Sequence, residues 1–428
     1  MTKMIVLAGR LFNAAGSTVL EDQAVLVENG RVSKVGRRAD FGDLTGDTEV
    51  VDARDRFVMP GLINVHVHLM FMYAVGPTDR HKGRSAADCA VHATRVAAVL
   101  LAQGITTARD MAGTHGVPLE MRRMIGEGQI PGPRIISCGL PIAISGGHAS
   151  HLSTVADGAD GFRKAARQQL ELGADFVKVM ASHDPWPMQG EEKTRPELTV
   201  EEMRAAFDVA HAWGKQAACH VMGSTAIERV IESGVDIIEH GQYLTPSLAR
   251  RLVEKQVSFT PTMSSYDAQT MHPRFRRGER WASEHELLLE GHRTALANAL
   301  EAGAKILNGT DSVGCYAEEV EMFRKAGMSA IDSLLTCTRW PAEALGIAGE
   351  IGTIAPGHRA DLVVLDGDPL ADAYALEKVV SVIKDGKQYD PDALTYAERL
   401  VDPDFDIRRL ARHPESSAKP AAQVAVPS

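Results

Sequence analysis

A (β/α)8 barrel, an α/β fold, carrying a small β-sandwich domain made from both chain ends is the architecture this sequence predicts. Three observations predict it. Eight short apolar segments recur through the middle of the chain, each followed by a helical pattern. Three of them are entered through a glycine junction, and both flanks read as short strands joined by hairpin turns. The 428 residues exceed what one small core requires and suit a large barrel with an appended domain. The expected division is 1–58 plus 350–390 for the composite β-domain, 59–349 for the barrel, and 391–428 for an extension whose end is disordered.

In the first flank, AVLVENGRVSKVG places two apolar runs around Asn29-Gly30, a strong hairpin signal. The second flank, GTIAPGHRADLVVLDGDPL and VVSVIKDGKQ, repeats that pattern around Asp385-Gly386. Between them the candidate barrel strands are INVHVHL, ITTARD, PRIISCG, DFVKVMAS, QAACHV, DIIEHG, VSFTPTM and KILNGTD. The stretch TVEEMRAAFDVAHAWG opens with Thr199 and two glutamates, arranged like a capping box. Gly173, Gly234 and Gly303 sit where a left-handed helix end returns to a strand. A doubly wound sheet is the competing fold, but no GxGxxG follows an early strand. The final HPESSAKPAAQVAVPS has little to bury.

Composition excludes several function classes. Acidic residues number 56 against 46 basic ones, and no basic stripe is visible, so nucleic acid is not an expected partner. Cys89, Cys138, Cys219, Cys315 and Cys337 are scattered without a CxxC, which argues against a disulfide framework and a thiolate zinc knuckle. MTKMIVLAGRLF lacks a long apolar core with a cleavage site, and no window reaches about 18 uninterrupted apolar residues. A cytoplasmic location is the expectation.

Residues at the C-terminal ends of barrel strands face one shared pocket. Those ends carry His66 and His68, Lys178, His220, His240 and Asp311. In a strand of period two, INVHVHLM puts both imidazoles on one face and Val65 and Val67 on the other. Each residue alone has an ordinary explanation: a hydrogen-bonded histidine, a lysine reaching solvent, an aspartate capping a helix. Together, imidazoles and a carboxylate suit zinc or a similar divalent metal, which they ligate at about 2.0–2.2 Å. A charged lysine beside metals would be repelled, so Lys178 needs a special role or a chemical modification.

This set, with its HVH spacing, resembles the amidohydrolase superfamily over about residues 1–390. DARDRFVMPGLINVHVHL and GTIAPGHRADLVVLD are similar to that family's entry and exit segments. TTARDMAG, SGGHAS, KVMAS, CHVMG and IEHG look like the branch of Xaa-Pro dipeptidases, imidazolonepropionase-like proteins and ochratoxin-hydrolysing amidases. KVMASHDPWPMQGEEKTRPE departs from the dipeptidases' KVMASGG and looks like the bacterial ochratoxin A amidohydrolases.

The resemblance implies two divalent ions, expected to be Zn2+. His66, His68 and Asp311 would hold the more buried ion and His220 and His240 the second, bridged by Lys178 carboxylated on its amine. It further implies attack by a bridging hydroxide, with Asp311 carrying a proton to the leaving amine. His148, in the loop after strand three, either hydrogen-bonds the scissile carbonyl or holds the loop; His151 is structural. Arg109-Asp110 is expected as an ion pair supporting the metal shell. Tyr243 either donates to a substrate carboxylate or packs, while His183, Asp184 and Trp186 lie on a rim loop where substrate choice is set. His81, His92, His211, His272 and His292 are expected on helices or the surface.

The implied substrates are amides that release an amino acid: ochratoxin A (giving phenylalanine and ochratoxin alpha), N-acyl amino acids or dipeptides. The competing readings are cyclic amide hydrolysis, deamination, and a non-enzymatic scaffold. Mononuclear deaminases of this superfamily generally lack the strand-four lysine, and a scaffold normally loses ligands that are all present here. A homo-oligomer is implied by the resemblance alone.

Overall fold

The computed structural model describes residues 3–42, 48–72, 84–183, 194–267 and 279–396. The chain opens with β1 (Lys3–Leu11), β2 (Leu20–Glu28), β3 (Arg31–Arg37) and β4 (Thr48–Pro60). It continues through β5 (Leu62–Val67), β6 (Ile105–Asp110), β7 (Arg134–Ser137), the short β8 (Ile142–Ala143) and β9 (Thr154–Val155), and β10 (Phe176–Met180). Then come β11 (Gln216–Val221), β12 (Ile237–His240) and β13 (Ser258–Thr260), and finally β14 (Leu362–Leu365), β15 (Val379–Lys384) and β16 (Lys387–Tyr389). The longer helices are α1 (Ala86–Ala102), α2 (Val117–Gly126), α3 (Gly158–Glu171), α4 (Val200–Ala212), α5 (Ser224–Glu232), α6 (Pro246–Glu254), α7 (Glu279–Ala302) and α8 (Tyr316–Lys325).

The first four and last three strands form one seven-stranded sheet in the order β16-β15-β14-β4-β1-β2-β3. β4 is long enough to serve both halves, running parallel to β1 and antiparallel to β14. Both hairpin turns take the left-handed conformation that their sequences demand: Asn29 at φ 52°, Gly30 at 78°, Asp385 at 51° and Gly386 at 74°. The two turns press together, since a Cβ on Gly386 would lie 2.7 Å from the Cα of Gly30. Val6, Leu11, Val25, Val58, Leu362 and Ile383 from both flanks share one apolar cluster.

The middle of the chain makes two sheets whose pairings are all parallel, β5-β6-β7 and β13-β12-β11-β10-β8-β9. Backbone hydrogen bonds cross both gaps between them. On one side Asp175 N–H donates to Ser137 O at 2.8 Å. On the other, Leu307 N–H donates to Phe259 O, Val65 N–H to Asn308 O and Asp311 N–H to His66 O. The predicted eighth strand KILNGTD is therefore present only as isolated bridges, Phe259 to Ile306 and Val67 to Asp311. β8 and β9 are short additions that the apolar pattern does not announce.

Local rules explain the helix ends. Thr199 and Glu202 form a reciprocal capping box at the start of α4. Gly173, Gly234 and Gly303 have φ of 94°, 91° and 76° at the returns to the next segments. Ile63, Val65, Phe176, Ala218, Ile237 and Leu307 form one buried cluster. Each precedes a polar residue on its own segment, so an apolar plug fills one end and polar side chains collect at the C-terminal ends of the strands. Among the described residues no helix is long and apolar enough to cross a membrane.

Candidate active site

The first pair of histidines arrives by a different route from the one the sequence suggests. The β5–β6 register shifts between Asn64 and Val67, which breaks the period-two alternation. Val65 packs in the apolar plug while Val67 joins the layer containing Leu100 of α1, so the two valines do not share a face. The imidazoles still meet, with ring centroids 5.3 Å apart. Asp311 Oδ1 lies 3.2 Å from His68 Nε2 and 3.9 Å from His66 Nε2. Ligand atoms of these three residues all fall within 4.8 Å of one another.

Asp311 gains that position through backbone strain, with φ 54° in the left-handed region. Asn64 stabilises the approach by donating from its amide to Thr310 Oγ1 at 2.7 Å. Gly309 permits it, because a Cβ there would lie 2.7 Å from His66 Cβ. His240, at φ 70°, places its ring centroid 5.0 Å from His66 and 4.7 Å from His220. His148 stacks on His220 at 4.2 Å, the two rings nearly parallel. Lys178 is buried on β10, opposite Ala218, two residues before the Met180–His220 pairing. All six candidate ligands therefore gather at one end of the strands.

The electrostatics favour neutral rings with free lone pairs. Burial lowers the pKa of His66 and takes His220 and His240 well below the usual value. His220 Nε2 and His68 Nδ1 are buried with no hydrogen-bond partner, whereas His240 Nδ1 is 2.7 Å from Thr262 Oγ1. Burial also lowers Lys178, disfavouring its ammonium form. For Asp311 burial acts upward, but the hydrogen bond from His68 and the closeness of His66, His68 and Lys178 overcome it and hold the carboxyl below its ordinary range. Orphaned imidazole nitrogens around an ionised carboxylate are what a divalent cation requires.

Two expectations need correction. Arg109 does not pair with Asp110; it donates to Glu239 Oε1 at 3.1 Å, with its guanidinium 3.9 Å above the Phe176 ring. Successive residues of β6 point to opposite faces, so the two side chains diverge. Asp110 instead accepts from Leu69 N–H at 2.9 Å, and burial pushes its carboxyl up to about 7. The second correction is the valine alternation described above. His292 lies on a helix, α7, as expected, and is fully buried, 4.5 Å from the Tyr266 ring, with neither ring nitrogen hydrogen-bonded.

The remaining candidates divide clearly. Tyr243 is half-buried at φ 66°, and α7 packs against it, since a Cβ on Gly291 would lie 3.3 Å from its ring. His148 N–H donates to Glu197 Oε2 at 2.9 Å, and His183 Nδ1 lies 3.4 Å from Glu197 Oε1. His92 on α1 contacts Met72 O, His211 on α4 contacts Asp236, and His151 is exposed. Asp184, Trp186, His81 and His272 lie outside the described residues. Sequence reasoning missed Glu239, Thr262 and Glu197. A glutamate inside the apolar run DIIEHG is the signal for the first, because a buried carboxylate demands a partner; the other two carry none.

Comparison with known proteins places the chain among relatives of known fold. The A. niger protein "Ochratoxinase" (Aspergillus niger) is 25% identical over 425 residues, covering 90% of this chain and 86% of that protein. Imidazolonepropionase from Hahella chejuensis is 25% identical over 394 residues, covering 81% and 88%. The crystal structure of a Xaa-Pro dipeptidase with bound methionine superposes with a TM-score of 0.79 at 26% identity, covering 91% of this chain and all of that one. The description "Amidohydrolase family" matches residues 57–389. With that match over most of its length and an α/β fold like that of amidohydrolase structures, the chain belongs to the amidohydrolase family.

Proposed function

We propose that this amidohydrolase is a binuclear metal enzyme on a closed (β/α)8 barrel, cutting an amide bond to release a C-terminal amino acid. The observation that carries the reading is the convergence of four buried imidazoles, Lys178 and Asp311, with ring lone pairs left unspent. His66, His68 and Asp311 would hold one divalent ion and His220 and His240 the other. Zn2+ is the ion this mixed nitrogen and oxygen set suits. Lys178, carboxylated by CO2, would join them as an anion, which removes the cost of a buried ammonium. When bound, such ions lower the pKa of water and polarise a carbonyl.

The protein's own groups supply the rest. Asp311 takes a proton from the attacking water on its carboxylate and delivers it to the leaving amine nitrogen. His148 donates to the scissile carbonyl oxygen. Its ring stays neutral at working pH, because burial pulls its pKa down to about 4. Tyr243 donates its hydroxyl to the carboxylate of the released amino acid, and His183 contributes to selecting the substrate.

The substrate class is an amide of an amino acid: ochratoxin A, an N-acyl amino acid or a dipeptide. The likeness to ochratoxinase and to a Xaa-Pro dipeptidase supports it. The likeness to imidazolonepropionase supports a second reading, cyclic amide hydrolysis. Mass spectrometry of products decides between them. Metal-loaded protein is incubated with ochratoxin A, N-acyl phenylalanines, Xaa-Pro and Xaa-Arg dipeptides and a cyclic imide. Release of a free amino acid is expected, and ring opening alone would transfer the site to the second reading.

A further inference from the structure

Among the site histidines, His66 alone is tied to a carboxylate through its second ring nitrogen in a wholly buried contact. Its Nδ1 lies 2.9 Å from Glu239 Oε2, and both side chains are sealed from solvent. An ionised carboxylate only accepts hydrogen bonds, so Nδ1 carries the proton and Nε2, the nitrogen on the Asp311 side, keeps the lone pair. The other oxygen of Glu239 accepts from Arg109 Nη1 at 3.1 Å. That guanidinium is itself fully buried, stacked on Phe176, with Nε and Nη2 unpartnered. Among the described residues Glu239 is the carboxylate hydrogen-bonded to Arg109, and the three residues form a line from β6 through β12 to β5. His240, by contrast, meets only the neutral hydroxyl of Thr262, and His220 Nε2 and His68 Nδ1 meet nothing.

We propose that Arg109 and Glu239 are a buried positioning pair that fixes the tautomer and orientation of His66, making the His66–His68–Asp311 position the tighter of the two metal positions. The inference rests on the metal reading above and adds to it an asymmetry between the positions. Arg109 supplies the countercharge that keeps Glu239 an anion in an apolar surrounding. Glu239 in turn makes His66 a more basic ligand. Glu239→Gln keeps the shape, but an amide offers either a carbonyl or an NH2 and no longer dictates which ring nitrogen bears the proton.

The test separates positioning from mere structural support. Zn2+ affinity of the full chain is measured by chelator competition, and thermal midpoints are recorded without metal, for wild type, Glu239→Gln, Arg109→Met and the double variant. Wild type is expected to bind two ions with distinct affinities. Glu239→Gln should lose about 10- to 100-fold in the tighter one and little in the weaker. Each single variant leaves a buried charge uncompensated and should lower the midpoint, whereas the double variant removes both charges and should recover it. Its zinc affinity should stay reduced. A double variant that regains both midpoint and affinity would overturn the positioning role and leave the metal site standing. A wild-type chain that binds no zinc would overturn the metal reading and this inference together.

Discussion

Gly309→Ala tests how closely the segment from Ile306 to Asp311 must approach the histidine strand. A Cβ at position 309 would lie 2.6 Å from Thr260 Cγ2, 2.7 Å from His66 Cβ and 3.2 Å from His66 N, where ordinary contact begins at 3.4 Å. The shortfall against His66 is about 0.7 Å, and no rotamer relieves it because a Cβ is fixed by its backbone. That backbone is pinned as well: His66 O accepts from both Thr310 N–H at 3.2 Å and Asp311 N–H at 2.8 Å. The segments must separate, at a cost of about 1–3 kcal/mol for overpacking a filled interior. The same separation lengthens the 3.2 Å approach of Asp311 to His68, while metal–ligand distances tolerate only about 0.2 Å. Urea unfolding without metal should show that loss of stability at an unchanged slope, and metal analysis should show one ion fewer per chain. A variant with the wild-type midpoint and full metal content would refute the close approach.

Other perturbations read other parts of the site. Asp311→Asn should keep most of the bound metal and lose about 10²- to 10⁴-fold in kcat, the usual contribution of a proton-transfer group, as steady-state assays with metal analysis would show. Substantial residual turnover would remove Asp311 from that role. Glu197→Ala frees the amide of His148 and should lower kcat/KM by about tenfold with an unchanged thermal midpoint, since one charge-assisted hydrogen bond is lost from a loop. Burial takes the pKa of His292 down to about 3 from an unfolded value near 6.5, so the unfolded chain binds the extra proton between those limits. Its stabilising share is full above pH 6.5 and falls away as pH drops towards 3, amounting to roughly 5 kcal/mol at about 1.4 kcal/mol per unit. His292→Phe should flatten that section of the pH–stability curve of the metal-free chain; an unchanged slope would show that the ring finds a partner when protonated.

What the sequence made legible was local. Asn29-Gly30, Asp385-Gly386, the Thr199 cap and the glycines at 173, 234 and 303 each act within a few residues, and each adopts the conformation its chemistry dictates. Six ligand-capable residues could be placed at strand ends because parallel strands all end on the same side. Long-range choices were hidden. Arg109 had a carboxylate beside it in sequence, yet its partner Glu239 stands 130 residues away on β12. The face swap between Val65 and Val67 follows from a register shift that only pairing with β6 creates. His292 is on a helix as expected, but nothing near it in sequence announces that α7 turns it inward against Tyr266.

The most direct measurement is metal analysis of the purified full chain, paired with product release from an N-acyl amino acid or ochratoxin A before and after chelation. Two divalent ions per chain, with amino-acid release lost on chelation and restored by zinc, is the expected result. Undiminished release from a chain stripped of metal would contradict the binuclear site on which the whole functional reading stands.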